Sequence, residues 1–133
     1  RLQGQEATHT CLIAQVASAA ALDGPQDDVA KMRSEFKRRR DMVTSRLDAM
    51  NGVTCRVPDG AFYAFPDVSE LFGRGPIVDS MSLVEYLLEE AHVGLVPGSA
   101  FGAEGFVRVS YAAAYDRLVE ALDRIERAVG RLG

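Results

Sequence analysis

The segment GLVPGSAFGAEGFVRVSYA, residues 94–112, decides how this sequence folds. It joins a glycine-rich loop to the run FVRVSY at 106–111, in which Arg108 stands between Val107 and Val109. Successive side chains of a β-strand point to opposite faces. The run therefore predicts a strand whose two valines share one face, while Arg108 lies on the other face.

A guanidinium between apolar neighbours needs a partner, because burying an unpaired charge is costly. A carboxylate is the natural match, since it accepts two parallel hydrogen bonds from the planar guanidinium. From the spacing alone, the partner of Arg108 could be an internal carboxylate, solvent at an exposed sheet face, or the carboxylate of a ligand.

Helices are predicted where apolar residues recur every three or four positions. The first prediction is an alanine-rich, buried helix over Cys11–Leu22, ended by Gly24 in a left-handed conformation. A long amphipathic helix is predicted between Pro25 and the pair Asn51-Gly52. Ser82 is expected to cap a third helix, and the final helix is predicted at residues 116–132.

Short β-rich runs separate these helices. Residues 53–57 and 61–65 flank a Pro-Asp-Gly turn and predict a hairpin, and residues 93–96 predict another strand. Together with the strand at 106–111, this order predicts an α/β fold of the α+β type, a small mixed β-sheet with helices packed on it.

The composition excludes several classes of function. A net charge of -4 argues against a nucleic-acid surface, and the basic run at 37–40 spreads around a helix between Glu35 and Asp41, as a solvated surface does. The apolar run at 12–22 is too short to span a bilayer, and no signal-peptide pattern is present. We expect a cytoplasmic protein that binds neither nucleic acid nor membrane.

Residues that often bind metals are too sparse for a metal site. His9 and His92 stand far apart in the sequence, and Cys11 and Cys55 fit neither a disulfide scaffold nor a zinc site. We expect reduced thiols in the core or at its edge, surface or capping histidines, and no metal.

Four longer motifs resemble one protein family. PDGAFYAFPDVS at 58–69 and LLEEAHVGLVPGSAFGAEGFVRVSYA at 87–112 closely resemble the C-terminal domain of class I pyridoxal-phosphate aminotransferases, especially bacterial aspartate aminotransferases. IAQVASAAALDGP at 13–25 and FKRRRDMVTSRLDAMNGVTC at 36–55 are similar to the same family. The resemblance implies the small domain of fold type I pyridoxal-phosphate-dependent transferases. Residues 1–24 would be an incoming connecting helix and residues 25–133 the small domain.

The resemblance also implies roles for particular residues. Arg108 matches the family's arginine that binds the α-carboxylate of the substrate. Phe62 matches a position that lines the active-site cleft, although a core aromatic is also open for it. Gly98 and Gly102 would shape the turn before the strand. The sequence departs from the family at 113–115, where relatives often have a serine or threonine helix cap.

The cofactor residues of the family have no match here. Lys31 and Lys37 are the only lysines, and neither lies in a motif like that of the Schiff-base lysine. The resemblance thus implies that the large domain, which binds pyridoxal 5'-phosphate, is absent and that this chain is inactive alone. The chain begins with arginine instead of methionine, which predicts that it is cut from a longer protein.

The implied parent is a homodimer acting on amino-acid and 2-oxo-acid substrates, most simply aspartate and 2-oxoglutarate. An aminotransferase-like ligand-sensing domain of a transcription regulator and a stand-alone amino-acid-binding module are the alternatives.

Overall fold

The computed structural model describes Gly4 and residues 9–132. The chain divides into two compact units, with the boundary between Arg33 and Ser34. This boundary falls inside a long helix. The assignment of residues 1–24 to a connecting helix and of residues 25–133 to a small domain stays a prediction.

Four α-helices within residues 9–132 lie close to their predicted positions. They are α1 (Leu12–Asp23), α2 (Asp27–Asp48), α3 (Ser80–Ala91) and α4 (Tyr115–Gly130). Helix α2 begins with two aspartates, which favour the positive end of the helix dipole. Within the described residues, no helix has the length and apolar character needed to cross a membrane.

Two predictions about helix α1 are wrong. The helix is exposed along its whole length, because burial requires a packing surface as well as an apolar composition. Gly24 ends it with φ -80° and ψ 179°, an extended conformation instead of a left-handed one. The reason is Pro25, because a proline disfavours helical angles at the residue before it and leaves that residue extended.

The start of helix α3 also differs from its prediction. Its N-cap is Asp79, whose side chain accepts a hydrogen bond from the Ser82 backbone N–H at 2.7 Å. Ser82 lies three residues inside the helix, and its hydroxyl accepts a hydrogen bond from the Asp79 backbone N–H at 3.0 Å. The two residues form a reciprocal capping box. The carboxylate of Glu104 accepts a hydrogen bond from the Ser80 N–H at 2.6 Å, which joins the glycine-rich loop to this helix.

The described sheet has three short strands, β1 (Tyr63–Ala64), β2 (Val96–Pro97) and β3 (Val107–Ser110), in the order β1-β3-β2. Both strand pairs are antiparallel. The predicted class, a small sheet with helices packed on it, is confirmed, although the strand pairing is antiparallel where a mixed sheet is predicted.

The predicted strand at 53–57 does not form. Only Thr54 makes an isolated bridge, to Asp67, and the Cys55 N–H is bonded to the Asp48 carboxylate at 2.8 Å instead of to a neighbouring strand.

The hydrophobic core lies on one face of β3. Val107 and Val109 are buried there, and helices α2, α3 and α4 contribute Leu47, Leu87 and Leu122 to the same core. Because the valines occupy this face, the opposite face of β3 is left for Arg108.

Candidate functional site

Strand β3 presents Arg108 as the sequence predicts. Its neighbours Val107 and Val109 are 2% and 6% exposed, while Arg108 is half-buried on the other face. Tyr63 pairs with Ser110, which lies two residues beyond Arg108 and therefore on the same face.

Two aromatic rings contact the guanidinium of Arg108. Its central carbon lies over the Tyr63 ring, 4.6 Å from the centroid, and over the Phe101 ring, 4.7 Å from the centroid. Both distances are within the range of attractive cation–π interactions. The cation is thus held by rings instead of by a carboxylate.

Arg108 has no salt bridge or hydrogen bond to any other residue in the described part of the chain. Arg46 shows the contrast, because its guanidinium binds Asp123 at 2.8 Å and Glu126 at 2.7 Å. The alternative that a carboxylate of this chain binds Arg108 is therefore wrong for the described residues. The N–H donors of Arg108 can bind an external acceptor.

The glycine-rich loop fixes the approach to β3. The Gly98 N–H donates to the Phe106 carbonyl at 2.8 Å, and the Ala103 N–H donates to the Gly98 carbonyl at 3.0 Å. A Cβ on Gly98 would lie 2.1 Å from the Ala103 oxygen. Gly102 has φ 68°. Both glycines are thus required by the turn that presents Phe101 and then Arg108.

Tyr111 anchors the GAFY segment from the core side. Its hydroxyl donates to the Ala61 carbonyl at 3.1 Å, and its backbone N–H donates to the Phe62 carbonyl at 2.9 Å. Burial raises the pKa of Tyr111 above its ordinary value. Ala61 adopts a left-handed φ of 61°, so these two hydrogen bonds hold a conformation that alanine seldom adopts.

The anchored segment leaves Phe62 at the surface. Its side chain is 40% exposed, with the ring 4.4 Å from that of Tyr63 and 6.2 Å from that of Phe36. A core aromatic is therefore the wrong interpretation of Phe62. The exposed ring lies next to a residue that contacts the guanidinium.

Two residues of this site are missed by sequence reasoning. Tyr63 lies far from Arg108 in sequence and reaches it through the strand register, whereas Phe101 lies seven residues before Arg108 and reaches it through the conformation of the intervening loop. The aromatic density of residues 61–65 is a signal for Tyr63, because a polar-tipped aromatic in a strand can lie beside a cation.

The other candidate residues lie apart from Arg108. Within the basic run, Arg38 is exposed and pairs with Glu35, as expected for a solvated helix face, whereas Arg39 pairs with the same carboxylate but is only 20% exposed. Cys11 is exposed, contrary to prediction, and Cys55 is buried. Burial, with a smaller effect of the nearby Asp48 carboxylate, raises the pKa of the Cys55 thiol to about 11.

His9 and His92 are both exposed. His92 ends helix α3 in a left-handed conformation with φ 54°. No group of three or more His, Cys, Asp or Glu side chains among the described residues could hold a metal ion.

The two lysines do not fit the Schiff base that pyridoxal 5'-phosphate requires. Lys31 and Lys37 are both exposed on helix α2, and Lys31 pairs with Asp28 at 3.2 Å. A solvated lysine with an ordinary surface ion pair lacks the desolvated setting that activates an amine for a Schiff base. No step through the cofactor can be assigned to this chain.

Comparisons with known proteins show which family this chain is related to. The family described as "Aminotransferase class I and II" matches residues 3–125. The aspartate aminotransferase of Rhizobium meliloti strain 1021 is 45% identical over 98% of this chain, and the aligned region is 33% of that relative. A probable aspartate/prephenate aminotransferase of Aquifex aeolicus is 42% identical over 96% of the chain and 32% of its own length.

Solved structures give the same relationship. The aspartate aminotransferase from Rhizobium meliloti superposes with a TM-score of 0.86 and 46% identity, covering 90% of this chain and 31% of that one. The Thermus thermophilus aspartate aminotransferase with maleate has a TM-score of 0.82 and 36% identity, covering 96% and 32% of the two chains.

The chain spans about a third of the length of the curated relatives it matches. The family resemblance seen in the motifs is confirmed by the family match, the relatives and the structures. This chain belongs to the class I and II aminotransferase family.

Proposed function

We propose that this chain is the C-terminal, substrate-carboxylate-binding domain of a pyridoxal-phosphate-dependent aminotransferase that transfers the amino group of aspartate to 2-oxoglutarate. The observation that supports this best is Arg108, a half-buried guanidinium without a carboxylate partner in the described part of the chain. The names of the relatives, aspartate and aspartate/prephenate aminotransferases, support the substrate class.

In this proposal Arg108 binds the α-carboxylate of the substrate. Two parallel N–H donors meet two carboxylate oxygens, which fixes the orientation of the substrate as well as its position. Phe62 lines the cleft beside the site. The exposed rings of Phe62 and Phe101, 40% and 48% accessible, give the site an apolar border that strengthens an ion pair by excluding water.

The remaining parts of the proposal rest on the family. Pyridoxal 5'-phosphate supplies the amino-group chemistry in the full-length protein, and its binding residues lie outside this chain. The full-length protein is proposed to be a cytoplasmic homodimer acting on amino-acid and 2-oxo-acid substrates. Maleate, which accompanies the Thermus thermophilus aspartate aminotransferase in its solved structure, is a dicarboxylate, as are aspartate and 2-oxoglutarate.

The test compares Arg108→Ala and Arg108→Lys with the unaltered full-length protein. Oxaloacetate formed from aspartate and 2-oxoglutarate is measured by coupling it to NADH oxidation. Loss of a charge-assisted hydrogen-bonded pair predicts a fall in kcat/KM of roughly 30-fold to 1,000-fold. Lysine is expected to restore only part of this, because it provides a point charge without the planar pair of donors.

Arg127→Ala is the matched control, since Arg127 is an exposed arginine on helix α4, which packs on the core face of β3 opposite to Arg108. It is expected to leave kcat/KM within twofold of the unaltered value. Unchanged activity of a folded Arg108→Ala variant would contradict the proposed role. Binding of amino acids without any turnover would favour a ligand-sensing domain instead. The 133-residue chain alone, given the cofactor, is expected to form no oxaloacetate.

A further inference from the structure

We propose that Tyr63 and Phe101 are positioning residues that hold the Arg108 guanidinium ready for its carboxylate. This inference rests on the proposed function of Arg108 as the carboxylate-binding residue. Neither ring needs to touch the substrate for it to hold, because both act through the guanidinium.

The two rings reach Arg108 from elements on opposite sides of β3. Tyr63 belongs to β1, which pairs with one edge of β3, and Phe101 ends the 3₁₀ turn that follows β2 on the other edge. The guanidinium carbon is 4.6 Å and 4.7 Å from the two ring centroids. Contacts of nearly equal length from two separate elements restrict the side chain more than either contact alone.

These contacts leave the hydrogen-bonding capacity of Arg108 intact. A cation–π interaction satisfies the positive charge without an oxygen acceptor. The guanidinium carries five N–H donors, and no residue in the described ranges accepts a hydrogen bond from them. The rings thus stabilise the cation in the free protein while its donors remain available to a carboxylate.

Both rings are themselves supported by neighbours. The Tyr63 ring packs 4.4 Å from the ring of Phe62, and its backbone is paired with Ser110. The Phe101 ring meets Phe65 edge-on at 6.1 Å, and Phe65 stacks on Phe106 at 5.2 Å. Rings that are themselves held in place can restrict the conformations of the Arg108 side chain, whereas mobile rings cannot.

Pre-ordering affects affinity because immobilising a long side chain on binding reduces affinity by roughly 2-fold to 10-fold. When the rings restrict Arg108 before the ligand binds, the conformational entropy of this side chain is already lost on folding and no longer reduces the affinity. Removal of a ring is therefore expected to weaken carboxylate binding by about this factor.

The experiment measures maleate binding to the full-length protein by isothermal titration calorimetry, together with kcat and KM for aspartate. Tyr63→Leu and Phe101→Leu are each expected to raise the Kd for maleate and the KM for aspartate by about 2-fold to 10-fold, with kcat changing less than KM. Tyr63→Phe keeps the ring and is expected to retain the original affinity.

Phe72→Leu is the matched control, because Phe72 is half-buried against the hydrophobic core and its ring pairs with neither the guanidinium nor the rings of Tyr63, Phe65 and Phe101. Its effect on the Kd is expected to be the smallest of the leucine variants. Thermal unfolding of each variant separates loss of folding from loss of positioning, and the Tyr63→Phe and Phe101→Leu variants provide the test if Tyr63→Leu does not fold.

A double-mutant cycle decides whether the rings act through Arg108. In an Arg108→Ala background, Tyr63→Leu and Phe101→Leu are expected to change the Kd no further. The inference would be overturned if the effects of the leucine variants and of Arg108→Ala on the binding free energy of maleate were fully additive. It would also be overturned if both leucine variants bound maleate normally while Arg108→Ala bound it weakly. If Arg108→Ala itself binds maleate normally, the proposed function fails first.

Discussion

Gly98 is the position where the fold is expected to tolerate a side chain least. The residue is buried at the start of the 3₁₀ turn between β2 and β3. A Cβ there would lie 2.1 Å from the Ala103 oxygen and 2.4 Å from the Phe106 oxygen, both of them backbone atoms. Ordinary contacts between carbon and oxygen are about 3.3 Å or longer. In Gly98→Ala the loop therefore has to move by about 1 Å.

The magnitude follows from two effects. Forcing an extra methyl group into a packed region costs about 1–3 kcal/mol through backbone shifts. The same movement weakens two backbone hydrogen bonds, Gly98 N–H to Phe106 at 2.8 Å and Ala103 N–H to Gly98 at 3.0 Å, each worth about 1 kcal/mol. We expect Gly98→Ala to lower the free energy of unfolding by about 3 kcal/mol and the Tm by roughly 10 °C.

The assay is urea unfolding followed by circular dichroism at 222 nm. Gly94→Ala is the control, because a Cβ on Gly94 meets no atom within 4 Å and the residue does not have a left-handed φ. That variant is expected to be unchanged or about 0.5 kcal/mol more stable. A free energy of unfolding for Gly98→Ala that lies within about 0.5 kcal/mol of the control would refute the steric argument.

Three further predictions concern other parts of the described chain. Ala114 is the N-cap of helix α4 and offers no side-chain acceptor, so Ala114→Asp is expected to stabilise the fold by about 1 kcal/mol in the same urea assay, and unchanged stability would contradict this. Cys11 is exposed and Cys55 is buried with a pKa raised to about 11, so maleimide at pH 7.5 is expected to label the first quickly and the second only in urea; equal rates would contradict the burial of Cys55. The Ser80 N–H lowers the pKa of Glu104 from its ordinary 4.5, so the ionised carboxylate stabilises the fold above that pH and the contribution is lost as the pH falls through the lowered value. Glu104→Gln is therefore expected to be less stable than the unaltered protein at pH 7, and the difference is expected to shrink as the pH falls below 4.5; a difference independent of pH would contradict this.

Periodic patterns allowed much of the fold to be predicted. The alternation around Arg108 gave the correct faces of β3, because a two-residue period leaves only one arrangement of buried valines. The three- and four-residue spacing of Leu118, Leu122 and Ile125 likewise identified helix α4. Both patterns concern side chains that are close in sequence and are decided by the backbone they share.

The errors arise where distant or competing groups decide the outcome. Asp79 and Ser82 can each cap a helix, and the carboxylate three residues earlier took the N-cap position. The backbone of Cys55 bonds to Asp48 instead of to a strand, which no local pattern reveals. Apolar composition predicted a buried helix α1, yet composition does not specify the surface that has to cover it.

The candidate site could be predicted only in part for the same reason. Arg108 is recognisable because a cation between two valines is unusual in a strand. Tyr63 and Phe101 become part of the site only through strand register and loop conformation, so their contacts with the guanidinium could not be read from the sequence.

The division of β3 into a core face and an outer face has a consequence for directed evolution. Val107 and Val109 support the core, whereas Arg108, Ser110 and the paired Tyr63 lie on the outer face. A combinatorial library confined to Tyr63, Phe101 and Ser110 is expected to sample a range of carboxylate affinities while most of its members still fold. A library of equal size at the two valines would consist largely of unfolded chains.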